Sequence, residues 1–256
     1  MMPTLLCCLL VAAGRLCNNC CDFSRRNRFA KYSKKNVQTQ TLPIISDTAQ
    51  ATAYALLLAD QPLVAPTDTV YGVMCRFDSS IGIDRLYEAK QRPPQKAIPV
   101  LIADLDQLAS VTPTPVTRVA AVLMEHFWPG PLTLVLPALT TLPPNLTAGQ
   151  PTVAVRMPDH AALRQLIRRA GPLAATSANL SGSTETTSAA EVLAQLDGRI
   201  PLVLTDDETE TAQQRTLVAS TIVDVSLAGQ EPRILRPGPI AEAVRTLLQQ
   251  TFGYSC

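Results

Sequence analysis

The sequence predicts an α/β fold in which helices flank a mixed parallel and antiparallel sheet. From Asp47 onward, short apolar segments alternate with amphipathic segments of helical periodicity, and this alternation is typical of layered α/β domains. The chain has 256 residues, of which 46% are hydrophobic and 17% charged, so it can bury one sizeable core. Its apolar segments are interrupted by Arg, Asp, Gln or Pro, which predicts no membrane-spanning helix and no membrane partner.

The individual elements follow from periodicity and from turn residues. The first helix is predicted over 47–59, with Asp47 as its N-cap and Gln61 and Pro62 at its end. Further helices are predicted at 81–90, 115–127, 161–170, 188–196 and 240–250. Strands are predicted at 63–65, 98–103, 132–136, 152–156, 173–175, 202–204 and 221–225.

The first forty residues differ in character from the rest. They carry seven Lys or Arg against one Asp, which leaves 15 basic and 20 acidic residues in 41–256. Residues 1–40 are therefore predicted to be disordered or a non-native N-terminal extension, and residues 41–256 to form one domain. Five of the seven cysteines lie in the first 21 positions, so the body has no disulfide framework, which favours a reducing, cytoplasmic location.

Several classes of site are excluded by what the chain lacks. It has no G-x4-G-K-[ST] loop and no G-x-G-x-x-G turn, so it is neither a P-loop nor a Rossmann protein by sequence. Its two histidines, His126 and His160, have neither triad nor zinc spacing. No metal site in the protein is predicted.

The strongest candidate for an anion site is the segment 90–96, which places three cations within seven residues. Lys90 and Lys96 are the only lysines after residue 40, and Arg92 lies between them. Charge-assisted hydrogen bonds from three cations could hold a triphosphate without a glycine-rich loop. The alternative is capping of a helix C-terminus by Lys90 and Arg92, which leaves Lys96 unexplained.

Two hydroxyl-rich segments follow predicted strands. Residues 66–72 read PTDTVYG and residues 176–182 read TSANLSG. Ligands of open α/β sheets bind at strand ends, so these hydroxyls are candidates for phosphate or carboxylate contacts. The alternative is two ordinary turns, because Pro, Asp, Ser, Asn and Gly are the usual residues of turns.

Taken together, these segments resemble a known family, the YrdC-like threonylcarbamoyl-AMP synthases of the short, single-domain type. Seven sequence blocks occur in the family's order, and the resemblance covers roughly residues 43 to 250. The blocks are PTDTVYG (66–72), AKQRPPQKAIPVLI (89–102), FWPGPLTLVL (127–136), TVAVRMPDH (152–160), TSANLSG (176–182), STIVDVS (220–226) and ILRPGPI (234–240).

The resemblance implies a YrdC-like fold with a twisted sheet and a concave ligand cleft, and a catalytic domain over 41–256. It also implies an ATP-dependent reaction that converts L-threonine and bicarbonate to threonylcarbamoyl-AMP and pyrophosphate. Mg²⁺ would accompany the ATP. A threonylcarbamoyl transferase would then modify the adenosine next to the tRNA anticodon.

The resemblance also implies roles for individual residues. Lys90, Arg92 and Lys96 match the catalytic residues that bind the nucleotide phosphates. Matches to the threonine-binding positions are Thr69, Arg156, Ser177 and Ser220. Matches to further ATP contacts are Thr152, Asn179, Thr187 and Arg236.

Two alternative functions stay open at this point. One is an RNA-binding or ribosome-maturation factor of the same fold, with contacts to tRNA or double-stranded RNA; the net negative charge of residues 41–256 argues against this as the sole role. The other is a carbamoyl-transfer subdomain like that of hydrogenase-maturation carbamoyltransferases. Arg164, Arg168 and Arg169 have helical spacing and are interpreted as a solvated face rather than as an RNA-binding patch.

Overall fold

The structure is a computed structural model that describes residues 37–206 and 216–255. The described residues form one compact unit. Of the predicted extension 1–40, residues 1–36 lie outside the described part, as does Cys256. None of the helices in the described part has the length and apolar character needed to cross a membrane.

The described chain forms seven α-helices, ten strands and one 3₁₀ helix at Leu105–Ser110. The helices are α1 Asp47–Leu58, α2 Ser80–Lys90, α3 Arg118–Phe127, α4 Pro144–Thr147, α5 Ala161–Ala170, α6 Ala189–Leu196 and α7 Ala241–Phe252. The strands are β1 Gln40–Pro43, β2 Leu63–Ala65, β3 Gly72–Arg76, β4 Val100–Leu101, β5 Leu132–Pro137, β6 Thr152–Arg156, β7 Leu173–Ser177, β8 Leu202–Thr205, β9 Thr221–Asp224 and β10 Arg233–Arg236.

All ten strands belong to one mixed sheet with the order β1-β8-β2-β3-β7-β4-β6-β5-β9-β10. The pairs β1 with β8, β2 with β8, β4 with β6 and β5 with β9 are parallel. The other five pairs are antiparallel. The predicted fold class is confirmed.

Alternating residues of the strands pack into two separate clusters, one on each face of the sheet. On β3, Val73 and Cys75 join one cluster and Met74 joins the other, because successive side chains of a strand point to opposite faces. Helices α2, α3, α6 and α7 supply apolar residues to the first cluster, whereas α1 and α5 supply them to the second. The sheet is therefore the middle layer of the domain.

The helix starts are set by side chains that accept the first free backbone N–H groups. Ser46 Oγ accepts from Ala49 N at the start of α1, so the prediction of Asp47 as N-cap is wrong by one residue. Asp47 instead lies in the first turn, where a negative charge complements the helix dipole. Ser79 and Thr117 cap α2 and α3 in the same way, and Ser188 forms a capping box with Glu191 at α6.

The largest differences from the predicted elements lie near the ligand motifs. The predicted strand 98–103 is only two residues long, Val100–Leu101. Strand β7 continues through Ser177, so the first residues of the TSANLSG segment belong to a strand and not to a turn. Strands β1, β3 and β10 were not predicted. Strands β1 and β10 are edge strands in which no residue is buried, so their sequences carry little apolar alternation.

A buried amide joins the start of the domain to α5. Gln50 on α1 is 7% exposed, and its Nε2 donates to the carbonyl of Ile44 at 2.7 Å and to that of Ala162 at 3.2 Å. We predict that Gln50→Leu lowers the free energy of unfolding by about 1–3 kcal/mol, because the buried carbonyl of Ile44 loses its donor and the carbonyl of Ala162 loses one hydrogen bond. Chemical denaturation measures this change.

The matched control is Gln249→Leu, on an exposed position of α7, which we expect to change the free energy of unfolding by less than about 0.5 kcal/mol. Equal effects of the two substitutions would contradict the structural role of the Gln50 amide.

Candidate active site

A cavity of about 420 Å³ opens on the face of the sheet that carries α1 and α5. It lies over the strands that these two helices leave uncovered. Thr133 and Val135 of β5 line it, as do Ala154 and Arg156 of β6, whereas the residues between them pack in the opposite cluster. The period of two along each strand therefore places every second side chain in the cavity.

Six of the residues assigned from the family resemblance line this one cavity. They come from six different sequence blocks, which are separate in the chain and close together in the fold. They are Thr69, Arg92, Arg156, Ser177, Ser220 and Arg236.

Arg156 connects three separate chain segments in the cavity wall. It lies at the end of β6 and is 6% exposed. Its guanidinium donates from Nε to the carbonyl of Gly130 at 3.0 Å, from Nη1 to Thr69 Oγ1 at 2.8 Å and from Nη2 to Asp68 Oδ1 at 2.5 Å. Three of its five N–H groups are thus engaged, and two remain for a ligand. The ion pair with Asp68 balances the charge of this buried group.

Ser220 and Arg236 form a second polar group in the cavity lining. Arg236 donates through Nε and Nη2 to the carbonyl of Ser220 at 3.0 and 2.8 Å, and Ser220 Oγ lies 2.7 Å from Thr133 Oγ1. The register of β10 shifts between Ile234 and Arg236. Such a bulge re-aims side chains, and it explains why the adjacent residues Leu235 and Arg236 both face the cavity.

Gly238 allows the chain after β10 to pass close to Ser220. A Cβ atom at position 238 would lie 2.5 Å from the backbone nitrogen of Thr221 and 2.7 Å from the carbonyl oxygen of Ala219. Only glycine fits so close to another backbone. The glycine of the ILRPGPI block thereby keeps Arg236 within reach of Ser220.

Arg92 projects into the cavity from the loop that follows α2. It donates from Nε to the carbonyl of Lys96 at 3.3 Å and from Nη2 to that of Ala97 at 2.9 Å, which folds the proline-containing loop around its guanidinium. Burial lowers the pKa of Arg92 from its usual value, and the neighbouring Tyr87 partly opposes this shift. Arg92 nevertheless stays charged, since arginine does not lose its proton in proteins.

Lys90 lies behind the cavity wall and not in it. It is the last residue of α2 and is 1% exposed. Its Nζ donates to the carbonyl of Ser177, and its own carbonyl accepts from Ser181 N at 3.0 Å. Burial lowers the pKa of Lys90 to about 7; Arg92 adds to this effect and Glu185 opposes it. In this conformation Lys90 connects α2 to the TSANLSG segment.

The other four assigned residues also lie outside the cavity lining. Lys96 is exposed on the loop after α2. Thr152 begins β6 on the same strand face as Ala154 and Arg156. Asn179 accepts from Ser177 Oγ at 2.6 Å and so orients a residue that does line the cavity.

The fourth of these residues, Thr187, donates from its backbone nitrogen and its hydroxyl to Glu191 Oε2 at 2.7 and 3.1 Å, next to the capping box of α6.

Five polar lining residues were not among the assigned sites, and they add hydroxyls and a carboxylate; they are Thr67, Tyr71, Thr133, Thr176 and Glu185. Thr67 and Tyr71 belong to the PTDTVYG block, so their position in that block was a usable signal. Thr133 could have been found from its alternation with the buried Leu132 and Leu134 on β5. Glu185 has no such signal, because it lies in a loop whose path the sequence does not reveal.

The cavity combines a cationic lining with an apolar wall. Among the described charged residues that line it, three are arginines, and Glu185 is the one carboxylate. Burial lowers the pKa of Arg236 and Arg156 adds to this, whereas Glu185 raises it. The apolar wall is formed by Ala97, Ile98, Pro99, Leu101, Val135, Ile222 and Leu235. This arrangement can hold an anionic group beside a flat or aliphatic one.

The described residues offer no resident metal site, because no three His, Cys, Asp or Glu side chains within that part of the chain are grouped closely enough to hold an ion. A divalent cation at this cavity would therefore depend mainly on oxygen ligands that a phosphate substrate brings with it.

Comparison with known proteins places the chain in a family. Residues 55–238 match the model of the Sua5/YciO/YrdC family, which carries the description telomere recombination. The chain belongs to this family. It is similar to threonylcarbamoyl-AMP synthases of Bacillus subtilis, with 41% identity over 77% of this chain and 55% of that protein, and of Pyrococcus abyssi, with 39% identity over 71% and 52%. The chain spans about half the length of these curated relatives.

A solved structure of the same family has a similar fold. The structure of Pyrococcus abyssi Sua5 complexed with L-threonine matches with a TM-score of 0.73 and 33% identity, over 85% of this chain and 61% of that one. The family resemblance seen in the sequence blocks is thus confirmed by both sequence and structure.

The low pKa of Lys90 leads to a prediction about stability. Between pH 7 and 10 the buried amine is mostly neutral in the folded protein and still charged in the unfolded chain, so the unfolded state binds more protons and stability rises with pH. Relative to Lys90→Met, the wild type should therefore gain up to about 1.4 kcal/mol of unfolding free energy per pH unit in this window. Denaturation series at several pH values measure the difference.

Lys96→Met is the matched control, because it removes the exposed lysine of the same loop. Its unfolding free energy should parallel that of the wild type at every pH. A Lys90→Met curve that also runs parallel to the wild type would contradict the depressed pKa.

Proposed function

We propose that this domain is an L-threonylcarbamoyladenylate synthase, which forms threonylcarbamoyl-AMP and pyrophosphate from L-threonine, bicarbonate and ATP. The observation that carries this proposal is the convergence of Thr69, Arg92, Arg156, Ser177, Ser220 and Arg236 on one cavity. The threonylcarbamoyl-AMP synthases to which the chain is similar support the same assignment.

The amino acid binds at the end of the cavity formed by Arg156, Thr69, Ser177 and Ser220. Arg156 keeps two N–H groups free of the protein bonds described above, and a guanidinium is well suited to a carboxylate. The hydroxyls around it can hold the amine and the side-chain hydroxyl of threonine. The Sua5 structure complexed with L-threonine supports placing a small amino acid in this fold.

The nucleotide binds across Arg92 and Arg236, with the apolar wall beside its base. Asn179 and Thr187 contribute from the segment after β7, and Thr152 from the start of β6. Lys90 and Lys96 complete the phosphate contacts of the motif. For Lys90 this requires that its Nζ turn from the carbonyl of Ser177 toward the phosphates, whose negative charge would raise the pKa of the amine and favour its charged form.

The reaction proceeds by displacement at phosphorus. The amine of threonine combines with bicarbonate to give a carbamate and water; a carbamate oxygen then attacks the α-phosphorus of ATP, and pyrophosphate leaves with the electron pair of the broken P–O bond. This classifies the enzyme as a nucleotidyltransferase. Fixed cations stabilise the charge that develops on the leaving group, and holding the reactants side by side supplies much of the rate.

Mg²⁺ would accompany ATP, bound chiefly by the phosphate oxygens. Magnesium usually binds through one or two carboxylates together with substrate phosphates. Glu185 is the carboxylate of the cavity lining. Phosphate oxygens together with this one carboxylate would suit Mg²⁺, and Glu185 would bind the ion directly or through water.

The product leaves for a second enzyme. A threonylcarbamoyl transferase consumes the adenylate and modifies the adenosine next to the anticodon of tRNA. Direct RNA binding by this domain has no support from the arginines of α5. Arg164 and Arg168 both bind Asp104, and Arg169 stacks on Tyr54 at 4.2 Å, so these residues interact with the protein itself.

The first test is an assay of pyrophosphate release on residues 37–256 and on the full chain, with each substrate omitted in turn. We predict release only when ATP, L-threonine and bicarbonate are all present. Release that does not change when threonine is left out would overturn the proposal.

A second prediction concerns the carboxylate contact. Arg156→Lys keeps a positive charge beside Asp68 but loses the planar guanidinium that can donate two hydrogen bonds to a carboxylate. We therefore expect the KM for threonine to rise about tenfold or more. The KM for ATP should change little, which separates this effect from general unfolding. Arg169→Lys, on the surface beside Tyr54, is the control and should leave both constants unchanged. An unaltered KM for threonine in Arg156→Lys would contradict the assignment.

A further inference from the structure

The hydroxyl of Thr69 is part of a closed set of buried hydrogen bonds. Thr69 is 1% exposed and Thr67 is 4% exposed. Thr67 Oγ1 lies 2.9 Å from Thr69 Oγ1 and 2.8 Å from the carbonyl oxygen of Val70, and it accepts from Thr69 N at 3.0 Å. Arg156 Nη1 donates to Thr69 Oγ1 at 2.8 Å.

Counting protons in this set fixes the direction of each bond. A hydroxyl has one proton to donate and two lone pairs. In the described part of the chain, Thr67 Oγ1 is the one donor bonded to the Val70 carbonyl, and a buried carbonyl without a donor is costly. The Thr67 proton is therefore used on Val70, and the bond between the two hydroxyls must be donated by Thr69.

The consequence is that Thr69 has no proton left for a ligand. Its proton is directed to Thr67, and one lone pair accepts from Arg156. The remaining lone pair is available to the cavity, which Thr69 lines. Thr69 can therefore accept a hydrogen bond from a ligand but cannot donate one.

We propose that Thr67 is a positioning residue for amino acid recognition: it fixes Thr69 as an acceptor for the α-amino group of the substrate, next to the donors of Arg156 that hold the carboxylate. This rests on the proposed function. A donor and an acceptor are held side by side, because Arg156 Nη1 and Thr69 Oγ1 are 2.8 Å apart. An α-amino acid presents the complementary pair, a carboxylate and an N–H group on the same carbon.

The ion pair of Arg156 with Asp68 favours amino acids with one carboxylate over those with two. Asp68 Oδ1 lies 2.5 Å from Arg156 Nη2 and occupies one side of the guanidinium, so its negative charge lies close to the carboxylate subsite. The Asp68 side chain is only 13% exposed, so water screens this charge weakly. A second carboxylate on the substrate would meet this charge at short range. The subsite is thereby suited to a neutral amino acid with one carboxylate.

The experiment compares Thr67→Val, which removes the hydroxyl at nearly constant shape, with Thr67→Ser, which retains it. Calorimetry measures the binding of L-threonine and of L-2-aminobutyrate, which lacks the side-chain hydroxyl. Competition measures the binding of 3-hydroxybutyrate, which lacks the amine. In Thr67→Val the hydroxyl of Thr69 is free to turn its proton toward the ligand. We expect Thr67→Val to weaken both amino acids about fivefold to tenfold, the value of one hydrogen bond.

The pattern across the ligands separates a positioning role from a purely structural one. Thr67→Val should leave 3-hydroxybutyrate and ATP unchanged, and Thr67→Ser should bind all ligands like the wild type. Equal weakening of every ligand, or unchanged binding of threonine, would overturn the inference. If the wild type itself fails to bind threonine, the proposed function fails as well, which is a distinct result.

A second measurement needs no variant. Neutron diffraction from crystals of the wild type exchanged into deuterium oxide locates the hydroxyl deuterium of Thr69. The inference expects it between Thr69 and Thr67. A deuterium that points into the cavity would overturn it even if Thr67→Val did not fold.

Discussion

The guanidinium of Arg156 is the interaction on which the candidate site depends. It is buried, and its three protein contacts join the end of β6 to the carbonyl of Gly130 and to the loop that carries Asp68 and Thr69. A buried charge is tolerated only when it is paired and hydrogen-bonded. The need to satisfy this one group therefore sets the position of three separate chain segments, and those segments form one end of the cavity.

The same cavity brings three arginines together without a glycine-rich loop. Strands β5 and β6 expose alternate residues to the face that α1 and α5 leave open, and loops at the strand ends add Arg92 and the hydroxyls. The cations are attached to different elements, so their spacing is set by the packing of the sheet. Lys90 is the exception, since it is held in the wall by the Ser177 carbonyl and must move to reach a ligand.

Much of the fold could be predicted from the sequence, because a strand buried on one or both faces and a helix with one apolar face leave clear periodic signals. The edge strand β1 could not, since it pairs with the distant strand β8. Strand β10 and its bulge at Arg236 could not either, since none of the residues of β10 is buried. For the site, six of the residues taken from the sequence blocks line one cavity, among them Thr69, Arg156 and Arg236. They could not reveal that Lys90 is buried, because the segment around Ser177 and Ser181 covers it, or that Glu185 faces the cavity, because Glu185 lies in a loop.

The most direct test of this account is a crystal structure of the protein with L-threonine bound. The account predicts that the carboxylate of threonine lies within hydrogen-bond distance of Arg156, that the contact between Arg156 and Asp68 persists, and that the amine faces Thr69 Oγ1. Threonine bound away from Arg156, or Asp68 displaced from the guanidinium, would contradict it.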